Sequence, residues 1–120
     1  MGIRDEGGLY QSVYKILKSR IKYANDPFSL AAFVYQEIAR KHHFVDGNKR
    51  TAHVYAKLML YLSGYVFKLE YKLATLFIMK IAEHNSQVTF QEIKEWAEKN
   101  SKKIESYEDL ANYLNTKLFT

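Results

Sequence analysis

Apolar residues return every three or four positions along nearly the whole chain, and strictly alternating runs are almost absent, which commits the backbone to helices. From Leu9 the stripe passes through Val13, Ile16, Leu17, Ile21 and Ala24, with Lys15, Lys18 and Lys22 off it. Asn25-Asp26-Pro27 closes that helix and opens the next. Asp26 can accept from free amides, and Pro27 has no amide to leave unpaired at a first helical position. The second helix carries Leu30, Phe33, Val34 and Ile38 and runs to about His42. After an Asp46-Gly47 turn, a third carries Ala52, Tyr55, Leu58, Met59 and Leu62, and Gly64 stands where a helix-ending glycine belongs. Residues 65–71 read as a short connector, and Leu73 to Ala82, apolar almost all round, predicts a central buried helix. Thr89-Phe90-Gln91-Glu92 spells a capping box, with Val88 placed to staple against Ile93. Ile93, Trp96 and Ala97 give that helix a buried edge. Residues 101–105 read as a polar link, and a last helix from about Ser106 carries Tyr107, Leu110, Ala111, Leu114 and Leu118. The prediction is an all-α bundle of about six helices, one domain over residues 1–120.

A chain of 120 residues can bury a core without covalent staples. It has no cysteine, which excludes a disulfide framework and a cysteine zinc site and fits a reducing cytoplasm. Its apolar runs are interrupted before they could span a bilayer, and its first residues lack the apolar stretch of a secretory signal. The net charge of +5 favours anionic partners. The cations are spread over several helices with no single basic recognition face, so nucleic acid is not the expected partner.

Chemistry concentrates between the second and third helices, in His42-His43-Phe44-Val45-Asp46-Gly47-Asn48-Lys49-Arg50. A neutral imidazole at His42 can take a hydroxyl proton. Asp46 is a hard oxygen ligand suited to Mg²⁺. Gly47 permits a sharp turn and close approach of a ligand. Asn48, Lys49 and Arg50 open the third helix, where unpaired amides and the positive dipole end attract anions, and the two cations add charge. Phe44, apolar among polar neighbours, anchors the loop. Singly, each residue has an ordinary structural reading as a turn, a solvated cation or a helix-end histidine. Their occurrence in one window carries the argument.

The window resembles the signature of the Fic/Doc family, His-x-Phe-x-(Asp/Glu)-Gly-Asn-x-Arg, matched here by His42, Phe44, Asp46, Gly47, Asn48 and Arg50. Residues 2–9, 60–65 and 88–96 resemble the segments that flank the signature in that family, so the resemblance covers about residues 2 to 100. It implies a Fic/Doc-like helical bundle whose first helix and flap would be absent or truncated before residue 1, with ATP as substrate and Mg²⁺ as cofactor. By position, His42 would be the general base, Asp46 the metal ligand, and Gly47, Asn48, Lys49 and Arg50 the phosphate-binding set.

AMP-transferring members usually carry Gly where this chain has Lys49 and a second Arg where it has His53. Lys49-Arg50-Thr51-Ala52 looks instead like the Doc toxins. That branch implies a kinase that moves the γ-phosphate of ATP to a threonine of translation elongation factor Tu, restrained by a separate antitoxin. AMP transfer to a protein hydroxyl is the first alternative, and a non-catalytic helical binding module the second. His84 and His53 have no second ligand at metal spacing, so structural or solvent-exposed roles are expected for both.

Overall fold

The computed structural model describes residues 6–41 and 48–116, excluding the side chains of 6–10, 12, 13, 41, 48, 110 and 113–116. In chain order the elements are α1 (Glu6–Lys22), α2 (Pro27–Lys41), α3 (Asn48–Leu62), β1 (Tyr65–Phe67), α4 (Tyr71–Ala82), α5 (Phe90–Lys99), β2 (Ser101–Lys103) and α6 (Tyr107–Thr116). The architecture is all-α with a two-stranded ribbon attached, as the helical spacing predicts.

The central helix is α2, which packs against α1, α3, α4 and α5. Leu30, Ala31, Ala32, Val34, Tyr35, Ile38 and Ala39 are all buried, and the three alanines let neighbouring helices approach closely. Its start is built as the sequence predicts. Pro27 is the first residue, and the Asp26 carboxylate accepts from the Ser29 amide at 3.2 Å and from its hydroxyl at 2.6 Å. Lys94 of α5 reaches the same carboxylate at 2.9 Å. Burial works against the charge on Asp26, yet the Ser29 and Lys94 contacts hold its carboxyl below the usual value.

Helix α4 departs from expectation. Leu73, Leu76 and Met79 are 69%, 76% and 46% exposed, and only Ala74, Ile78 and Ile81 are buried. The helix lies on α2 and α3 by one side, so an apolar circumference did not make it central. The same holds for Leu17 and Ile21 of α1 and for Tyr55 and Leu62 of α3, which belong to the predicted stripes but face outward. On α1 the inward face carries Ile16 and Ser19, whose hydroxyl is satisfied by the Ile16 carbonyl at 2.6 Å.

The connector and the polar link are also corrected: each contains a strand. After α3, Gly64 adopts φ +93°, the left-handed conformation that favours glycine, and the chain turns into β1. That strand pairs antiparallel with β2 in the register Tyr65↔Lys103, Val66↔Lys102 and Phe67↔Ser101. Three residues are too few for an alternating pattern to be legible, and Ser101-Lys102-Lys103 is polar because it borders solvent.

The capping box of α5 is formed, with the Glu92 amide donating to Thr89 Oγ1 at 3.1 Å and the Thr89 amide donating to the Glu92 carboxylate at 3.4 Å. Val88 and Ile93 both join the core, and Trp96 meets the rings of Tyr35, Phe67 and Phe77 at 5.5, 5.2 and 4.5 Å. Among the described residues no helix is long and apolar enough to cross a membrane.

Candidate active site

Helix α2 is described to Lys41 and α3 from Asn48, so both helices that flank residues 42–47 are present, and the two pack side by side. Four of the predicted site residues, His42, Phe44, Asp46 and Gly47, lie outside the described residues. Asn48 opens α3, and its side chain also lies outside them. Lys49 is half-buried and Arg50 exposed in the first turn of α3, which contains no acidic residue.

Two cations and no carboxylate at the positive end of a helix dipole are the reverse of what stabilises an isolated helix. An anion at the site would offset that arrangement, and phosphate oxygens suit both the unpaired amides and the two side chains. Among the described residues no group of three or more histidines and carboxylates could hold a metal.

Behind the first turn lies an aromatic and imidazole layer that the sequence did not announce. The Arg50 guanidinium carbon sits 4.5 Å from the centroid of the Tyr71 ring, at the first residue of α4. His53, one turn further along α3, is 1% exposed and 5.8 Å ring to ring from Tyr71. Its Nε2 lies 3.0 Å from the Leu69 carbonyl and its Nδ1 2.8 Å from the Tyr35 hydroxyl. A carbonyl only accepts, so Nε2 carries the proton; Nδ1 then accepts from the Tyr35 hydroxyl. Both nitrogens of the neutral ring are thus satisfied. Burial, with the charges of Lys57 and Arg50 assisting and the Leu69 bond opposing, pushes the His53 pKa down to about 4. The structural role expected for His53 holds, whereas His84 is exposed.

At the other side of the window, Arg40 is two residues before His42. It donates from Nε to the Ile81 carbonyl at 2.9 Å and from Nη2 to the Val88 carbonyl at 3.0 Å, binding the α4–α5 loop to the end of α2. Arg40, Ala82, Glu83, His84, Asn85 and Ser86 line an open cleft of about 390 Å³ there. Neither Arg40 nor Tyr71 is legible as a site neighbour from sequence, because their partners are tens of residues away. The one local hint is the spacing of Arg50 and His53, three apart and so on one helix face.

No curated protein and no solved structure matches the chain. The model of the Fic/DOC family matches residues 7–60, from α1 across the whole window to Leu60 of α3. The signature residues stand in order inside that stretch, so residues 7–60 of this chain are similar to the Fic/DOC family, whose members are typically transferases.

Proposed function

We propose that the chain is a Doc-like phosphotransferase that moves the γ-phosphate of ATP to a protein hydroxyl. The acceptor in this reading is a threonine of a translation elongation factor Tu-like protein, and a separate antitoxin controls the activity. The observation that carries the reading is the acid-free first turn of α3, where Lys49 and Arg50 close the signature window.

In this reading His42 takes the proton of the acceptor hydroxyl as its oxygen forms a bond to the γ-phosphorus. The bond from that phosphorus to the β–γ bridging oxygen breaks, and ADP leaves. The amides at the start of α3, with Lys49 and Arg50, neutralise the phosphate oxygens, and Gly47 lets them approach the backbone. Asp46 would hold Mg²⁺, which when bound shields phosphate charge. Phosphoryl transfer depends mainly on alignment and charge neutralisation, so this small set is chemically sufficient. Position 53 supports γ-transfer over AMP transfer. AMP-transferring members of the family usually carry a second arginine there, and here the position holds a buried, neutral, fully hydrogen-bonded imidazole that offers a phosphate no charge. The net charge of +5 suits an acidic antitoxin segment.

The test is label transfer to a purified elongation factor. Label from γ-phosphate-labelled ATP is expected on the factor and is expected to vanish with His42→Ala. Label from the α-phosphate instead would establish AMP transfer. No transfer of either, with no change in melting temperature at millimolar Mg·ATP, would leave a non-catalytic binding module.

A further inference from the structure

Arg50 is the one signature side chain among the described residues, and the aromatic ring at its charged end comes from outside residues 7–60. We infer that Tyr71 is a positioning residue for Arg50: its ring holds the guanidinium at the start of α3 and so sets the arginine's readiness for a phosphate group. The inference rests on the reading of that helix start as a nucleotide phosphate site.

Three features support it. First, the 4.5 Å separation between the guanidinium carbon and the ring centroid is well inside the range of cation–π attraction. Second, a guanidinium has five N–H donors, so one aromatic neighbour leaves donors for an oxyanion, and the ring contact does not exclude a bidentate phosphate contact. Third, the ring is itself anchored. Tyr71 follows Leu69 by two residues, and the Leu69 carbonyl is fixed to α3 by His53, whose ring also faces Tyr71. Arg50 and His53 are three apart on one face of α3, and the same tyrosine ring meets both side chains. An exposed arginine otherwise samples many rotamers, and ordering it beforehand removes part of the entropic cost of binding.

The experiment combines Mg·ATP titration calorimetry with proton NMR of the Arg50 δ-methylene group in the unliganded chain. Tyr71→Phe keeps the ring and is expected to keep both the upfield ring-current shift and the affinity. Tyr71→Leu is expected to lose the shift and to bind Mg·ATP about two- to fivefold more weakly. Pentafluorophenylalanine at position 71 keeps the volume of a ring but reverses its quadrupole, and is expected to weaken binding similarly, which covers a failure of the leucine variant to fold. In an Arg50→Gln background none of these changes at position 71 should alter affinity further. A δ-methylene shift unchanged by Tyr71→Leu, equal weakening in the Arg50→Gln background, or tighter binding without the ring would each overturn the inference alone. Absence of Mg·ATP binding by the unsubstituted chain would overturn the phosphate-site reading and the inference together.

Discussion

The Tyr35 hydroxyl donates to His53 Nδ1 at 2.8 Å, joining the central helix α2 to the helix that begins at the signature window. Tyr35 is wholly buried, and burial pushes its phenol well above the ordinary value, so it remains a donor throughout the working pH range. His53 passes the connection on through Nε2 to Leu69, which fixes the entry to α4. One neutral imidazole therefore sets the relative placement of three elements around Arg50, and its protonation state matters to the fold.

Acid should break this connection. His53 has a pKa of about 4 in the folded chain, against about 6.5 when unfolded. The unfolded chain binds the extra proton first as pH falls. The stability is therefore fully present above about pH 6.5, is lost progressively as pH falls toward 4, and the loss is complete below that. The full loss is about 3 kcal/mol. Urea denaturation between pH 7 and pH 4 is expected to show it, and His53→Gln, which can accept from Tyr35 and donate to Leu69, is expected to flatten the slope. Asp26 contributes separately, since its carboxyl is held below its usual value and its stabilisation is lost at more acid pH.

Arg40 is expected to govern the α4–α5 loop rather than the global fold. Arg40→Met keeps an apolar stem but removes the donors to the Ile81 and Val88 carbonyls. The cost is about 1–3 kcal/mol for carbonyls left without these partners. Hydrogen exchange should become faster in residues 83–88 than in α3. Uniformly faster exchange across the chain would mean that the bonds serve the whole core.

The cap of α5 offers a clean local measurement. Thr89→Ala removes the acceptor for the Glu92 amide, and is expected to cost about 1 kcal/mol in urea denaturation with an unchanged slope. Glu92→Ala should give a smaller loss, because the Thr89 amide is bound at a longer 3.4 Å and borders solvent.

The parts of this molecule that were legible in the sequence are those whose partners are close along the chain. Asp26 with Ser29, Thr89 with Glu92, and the glycine at 64 are local arrangements, and each formed as the residues predict. Helix existence followed from spacing for the same reason. Which side of a helix faces inward was less legible. Leu73 and Leu76 are as apolar as Ile78, and only the positions of α2 and α3 decide that Ile78 is covered while they are not. The β1–β2 pairing escaped because it joins residues far apart in sequence through strands of three residues. At the candidate site, the window could be recognised from its own residues. The layer behind it could not, because Tyr35, Leu69 and Tyr71 meet His53 and Arg50 only through tertiary packing. Lys49 and Arg50 stand where the sequence placed them, while the remaining signature side chains lie outside the described residues.

The most direct measurement is a crystal structure of the chain with Mg²⁺ and a non-hydrolysable ATP analogue. The terminal phosphate is expected at the first turn of α3, in contact with Lys49 and Arg50 and turned toward His42. A nucleotide bound with its α-phosphate at that position, or bound away from α3 altogether, would contradict it.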